Sequence, residues 1–233
     1  MTEKPTVCPN CPRHCSLDAP GCGRGEQYAR ELRGESIPDE AAHERGHHGH
    51  GHHHEGEHGR HQHPDPVRNG IRHRVSIRKY EARPVEPEKT EAILRAAMQA
   101  PSAGNQQPWE FYVVTDPAKL EALSKVGPYA GCTKDAPAAI VSAYRRECMM
   151  PEYAQIDLSI AMENLWLETD AQGLGGVWLG IAPLEDRMKE VENILGLPAS
   201  LRAFAVFPYG YPAEMRAQED RFDAERIHYI PQQ

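Results

Sequence analysis

The chain has 233 residues, a net charge of −8 and a mean hydropathy of −0.66. An acidic balance with no cluster of Lys and Arg gives no footing for nucleic acid. No apolar run reaches the roughly 18 residues a membrane span requires, and the start lacks a basic-then-apolar leader. A cytoplasmic protein with no membrane partner is therefore expected.

Residues 1–67 contain almost no Ile, Leu, Val or Phe and cannot build a core, so one folded domain is expected over 68–233. Within residues 1–30, Cys8, Cys11, Cys15 and Cys22 follow the spacing C-x2-C-x3-C-x6-C, stiffened by Pro9, Pro12 and Pro20. Four thiolates on so short a segment suit tetrahedral zinc or an iron–sulfur cluster. The spacing matches neither the bacterial nor the plant-type ferredoxin run, so the metal stays open, as does a redox disulfide. Residues 31–67 read as a disordered linker in which His47, His48, His50, His52, His53 and His54 alternate with Gly and Glu. Imidazoles on a chain with nothing to bury can chelate divalent ions in shifting combinations, or can simply be a solvated spacer.

The folded part opens with Arg74-Val-Ser76-Ile-Arg78-Lys-Tyr80, two guanidiniums and a hydroxyl at alternate positions, a set suited to phosphate. A helix is predicted over 87–100, with Ile93, Leu94, Ala97 and Met98 on one side. It runs into Pro101-Ser102-Ala-Gly-Asn105-Gln-Gln107-Pro-Trp109. There amide and hydroxyl groups can converge on a flat heteroaromatic ligand between small residues, so the segment reads as a flavin-binding loop. A strand over 111–115 follows, then a helix from Asp116-Pro117 to Val126 and a strand over 138–144. The longest helix, 153–172, carries Ile156, Leu158, Ile160, Met162, Leu165, Trp166 and Leu167 around most of its circumference, which predicts burial on several sides. Gly173 is its C-terminal cap.

Gly173-Leu-Gly175-Gly176-Val-Trp178-Leu-Gly180 is not a dinucleotide fingerprint, because the third glycine is misplaced and the order is helix, turn, strand. The pair Gly175–Gly176 is expected to bring backbone close to a planar ligand, with an N–H toward a flavin N5. A helix over 184–195, a strand over 201–208 and a tail containing Asp220-Arg221-Phe-Asp223 complete the chain. Tyr129, Cys132 and Cys148 have no motif around them and read as surface or core residues.

Arg-x-Ser-Ile-Arg-Lys-Tyr, Ala-Pro-Ser-x-x-Asn-x-Gln-Pro-Trp, Gly-Leu-Gly-x-x-Trp-x-Gly, Gly-Tyr-Pro-Ala-Glu and Asp-Arg-Phe-Asp, in that order, resemble the nitroreductase family of flavin enzymes over residues 70–230. The resemblance implies an α+β fold with a central, mostly antiparallel sheet flanked by helices. It further implies an intertwined homodimer with an FMN at each interface site, residues 227–230 reaching the partner chain. Arg74, Ser76 and Arg78 would grip the FMN phosphate and ribityl chain, and Arg221 would add a phosphate contact. Pro101, Ser102, Asn105 and Gln107 would hold the isoalloxazine, from their own chain or from the partner's side, while Leu174, Gly175 and Gly176 would present backbone to N5. Val75 stands where the family often has another Arg, which removes one phosphate contact.

The implied activity passes electrons from NAD(P)H, by a ping-pong mechanism, to nitroaromatic, quinone or related electron-poor small molecules. The flavin carries the chemistry, so no catalytic side chain is required. Three alternatives stay open at this level. They are a metal-handling protein working through its Cys/His-rich N-terminus, a ferredoxin-fed reductase, and a dehalogenase on the same scaffold.

Overall fold

The computed structural model describes residues 66–230. The metal ligands expected at Cys8, Cys11, Cys15, Cys22 and His47 to His54 lie outside the described residues. Among those described, no group of three or more His, Cys, Asp or Glu could hold a metal, and no helix is long and apolar enough to cross a membrane.

The elements are α1 (Pro66–His73), α2 (Pro87–Met98), β1 (Trp109–Val114), α3 (Pro117–Leu123), β2 (Ala138–Arg145), α4 (Ala154–Ala171), β3 (Gly175–Gly176), β4 (Leu179–Gly180), α5 (Glu185–Leu195) and β5 (Leu201–Gly210). β1, β2 and β5 form a continuous antiparallel sheet, and the short strands β3 and β4 both pair with β5 on its other side. The α+β architecture follows the expectation from sequence.

Alternation along β2 explains why Ala138 to Val141 are apolar without a break. Ala138 and Ile140 face one core with Ile93 and Ala97 of α2 and Leu158, Met162 and Leu165 of α4. Ala139 and Val141 face a second core with Leu120 and Leu123 of α3 and Met188 and Val191 of α5. A sheet covered on both faces needs apolar side chains at every position, not every second one.

Several element ends follow local chemistry. Asp116 accepts a hydrogen bond from the Ala118 amide, and Pro117 opens α3, where a missing N–H costs nothing. Gly173 closes α4 at φ +74°, and the Leu174 amide returns to the Thr169 carbonyl. α1 had no counterpart in the sequence reading, since its eight residues lie among polar ones. Helix α4 departs from the expected all-round burial. Its buried residues form one stripe through Ala154, Asp157, Leu158, Ala161, Met162, Leu165 and Thr169, while Ile156 and Ile160 remain 55% and 39% exposed. The apolar side chains of α4 therefore divide between the core and a surface strip.

Candidate functional site

The segment 74–80 is attached to the sheet through isolated bridges at Ser76 and Tyr80. Ile77 is buried and its amide donates to the Gly176 carbonyl (3.0 Å), while Ser76 forms a parallel bridge with Gly176. Tyr80 anchors the end of the arm, its phenol donating to the carbonyls of Ile77 (2.7 Å) and Pro208 (3.1 Å). Burial pushes that phenol far above its ordinary pKa, so it remains a donor at any working pH.

The arm therefore reaches the glycine segment, but its arginines diverge. The Arg74 guanidinium lies 4.0 Å over the Trp166 ring, and its Nε is 3.5 Å from Glu163. Arg78 enters a pocket of about 170 Å³ with Gly127, Tyr129, Trp178, Gly180 and Arg187. Trp178 is fixed there edge-on to Phe204, with ring centroids 5.6 Å apart. A larger concavity of about 690 Å³, bordered by Arg83, Val113, Thr115 and Tyr209, contains none of the sequence-predicted site residues. The smaller pocket is the better candidate because it holds Arg78 and an open backbone glycine.

That glycine is Gly180. A Cβ at Gly180 would meet nothing within 4 Å, whereas one at Gly175 would lie 2.6 Å from Ile77 and one at Gly176 2.5 Å from Phe207. The pair read from sequence as ligand-facing has its Cβ side filled by the protein's own core. Within the pocket the glycine with open space at its Cβ position is Gly180, which sequence reasoning left unassigned. Gly127 and Arg187 also escaped it, because they belong to no motif, and Tyr129, read from sequence as a surface or core residue, lines the same pocket. Cys132 is half-buried, and burial raises its thiol pKa, so it is not poised as a thiolate.

The Pro-Ser loop is organised differently. Gly104, Asn105 and Gln107 all have positive φ (54°, 56° and 45°), a conformation that only surrounding contacts can enforce at two non-glycine residues. Asp157, 3% exposed on α4, accepts from the Ala103 amide (2.9 Å) and from the Gln106 side chain (2.7 Å). The Gln106 side chain also pairs with both backbone groups of Met150, and Arg145 donates to the carbonyls of Gln106 and Gln107. Ser102 Oγ accepts from the Gln107 amide, and the Gln107 side chain donates to Asn105. Gln106, Asp157 and Arg145 are thus structural supports of the loop that no sequence motif marked.

Within one chain the two halves do not meet. The loop is tied to α4 at Asp157 and the arm rests on α4 at Trp166, roughly 13–14 Å apart at the helical rise per residue. Arg221 is on the exposed tail, 3.6 Å from Glu219. The 170 Å³ pocket is also smaller than the roughly 300–1,000 Å³ of a complete ligand site.

Fold and site together define an α+β protein with a cationic arm and an open glycine at one edge of a two-faced antiparallel sheet, a place where a flat, anionic ligand can lie against backbone. The nitroreductase family model matches residues 71–131 and 126–211, and the chain belongs to the nitroreductase family. It is 42% identical over 163 residues to a protein of Methanothermobacter thermautotrophicus provisionally named an NADH dehydrogenase/NAD(P)H nitroreductase, covering 70% of this chain and 85% of that one. A crystal structure provisionally named an NADH oxidase, from Clostridium acetobutylicum, superposes with a TM-score of 0.68 at 44% identity, over 70% of this chain and 99% of that one. A nitroreductase of Desulfovibrio desulfuricans, provisionally so named and solved in complex with FMN, matches at 30% identity and a TM-score of 0.63, over 72% and 99% of the two chains. The chain is accordingly an oxidoreductase.

Proposed function

We propose that the protein is an FMN-dependent homodimer that takes electrons from NAD(P)H and delivers them to nitroaromatic, quinone or similar electron-poor acceptors. The observation that carries this reading is the Ser76–Gly176 bridge, which sets the Arg74–Arg78 arm beside a pocket whose Gly180 backbone is open. Arg78 and Ser76 supply a charge and a hydroxyl for the phosphate and ribityl end, while Arg74 is held apart from them over Trp166 and near Glu163. Backbone at Gly180 allows an aromatic ring to approach without a Cβ in the way. When bound, FMN supplies the hydride-accepting and electron-donating chemistry.

The chain's residues bind the ring, orient it and exclude water, with Trp178 and Tyr129 walling the pocket. Donor and acceptor use the exposed face of that ring in turn, in a ping-pong scheme. A second copy would complete the site by bringing its Pro-Ser loop, with Pro101, Ser102, Asn105 and Gln107, to the Arg78 pocket of the first. The exposed Ile156 and Ile160 on α4, with Met98 and Tyr153 also exposed, supply apolar surface for that contact.

The test is the visible spectrum of the full-length protein, purified without air, before and after NAD(P)H. Two flavin bands that bleach with the nicotinamide are expected. A colourless protein that FMN cannot reconstitute overturns the reading.

A further inference from the structure

Arg187 is the unusual cation of the described residues. Other partly buried arginines are neutralised, Arg202 by Glu185 and Glu192, Arg74 by Glu163 and Arg145 by Glu110. Arg187 is half-buried and makes no ion pair or hydrogen bond among the described residues. A Cβ on Gly127 would lie 3.5 Å from its central carbon and 3.6 Å from two of its nitrogens, so the planar group lies face-on to Gly127. A guanidinium donates along its edge, not through its face, and that edge is left for the pocket it shares with Arg78, Tyr129 and Trp178. The Arg78 amide is already bonded to Glu214 (2.6 Å), which brings one carboxylate to the Arg78 side of the pocket; Arg187 has no such neighbour.

We infer that Arg187 is an anion-recognition residue for a redox substrate, binding a carboxylate or phosphate while the substrate's ring lies between Tyr129 and Trp178. The inference rests on the flavin reading of the same pocket. In that reading the FMN phosphate is met from the Arg78 side, and Arg187 is a further charge with a fork suited to planar oxyanions. An aromatic acid is the acceptor class this arrangement favours. The 2′-phosphate of NADPH offers the same chemistry from the donor side.

The experiment uses the full-length protein with FMN and compares 4-nitrobenzoate with nitrobenzene, and NADPH with NADH. In Arg187→Ala the ratio of kcat/KM for the anionic over the neutral member falls about tenfold or more in one of the two pairs, and Arg187→Lys recovers part of it. The pair that responds identifies whether the anion belongs to acceptor or donor. Calorimetric binding of benzoate, which cannot be reduced, is expected to weaken in step if it belongs to the acceptor. Unchanged ratios in both pairs overturn the inference. So does a loss of FMN affinity without a change in either ratio, which would make Arg187 part of the cofactor grip. If the wild-type protein takes up no FMN, the flavin reading fails by itself, and benzoate titration of the FMN-free protein still decides whether Arg187 binds a carboxylate.

Discussion

Gly175–Gly176 and Gly180 sit on the same interrupted edge of the sheet, both paired to β5, yet the space where their side chains would be is used in opposite ways. Ile77 and Phe207 fill that space at the pair, and nothing fills it at Gly180. Gly210, opposite Gly175 in the ladder, belongs with the filled positions, because a Cβ there would lie 2.6 Å from Pro137. A missing Cβ says nothing by itself; only the packing shows whether its place is filled by the protein's own core, as at the pair, or left open, as at Gly180.

Substitution separates the two kinds. Gly176→Ala is expected to cost most, about 1–3 kcal/mol, because the Phe207 ring at 2.5 Å is fully buried and the Pro208 carbonyl at 3.0 Å is backbone, so neither can easily give way. Thermal unfolding measures it, and a wild-type Tm would abolish the distinction between the two glycine sites. Gly175→Ala should cost somewhat less, since its obstacle is one side chain, Ile77. Combined with Ile77→Ala, it should destabilise by less than the sum of the single changes; strict additivity would mean that the two do not compete for the same space.

Gly180→Ala should leave stability within about 0.5 kcal/mol. The same change should weaken FMN binding, read as a higher Kd by flavin fluorescence. If Gly175→Ala weakens FMN more per folded molecule than Gly180→Ala does, the assignment of the open position is reversed.

The smallest expected effect lies just beyond Gly210. The Glu86 carboxylate accepts from the Tyr211 phenol (2.7 Å) and from Arg83 (2.9 Å), and its pKa is lowered from 4.5 to about 2, chiefly by the Tyr211 bond. A depressed folded pKa means that the contribution is complete above about pH 4.5 and is lost as the pH falls toward 2. Tyr211→Phe should therefore flatten the acid limb of a stability-versus-pH curve in that window and leave the limb above pH 6 parallel to wild type. An unaltered acid limb would show that the Glu86 pair adds nothing to folding.

Much of this protein could be read before its structure. Strands expected from apolar stretches at 111–115, 138–144 and 201–208 lie at Trp109–Val114, Ala138–Arg145 and Leu201–Gly210, and α3 was foreshadowed by Asp116-Pro117, because capping and burial act through neighbouring residues. The arm was also legible as Arg, Ser and Arg at alternate positions. The supports of the Pro-Ser loop were not. Gln106 looks like one polar residue among several, and Asp157 like an acid on a helix, until folding brings them within 2.7 Å across a separation of 51 positions.

By itself the sequence determined the main helices and strands, the caps, the cationic arm and the motifs of the family, since each depends on residue type at short spacing; the sheet that joins the strands was implied only by the resemblance. Tertiary structure decided which glycine is open, where Arg187 points, and that one chain holds the arm and the loop at separate stations along α4. Those outcomes depend on what residues distant in sequence place in the same volume, and short-range pattern carries no record of that.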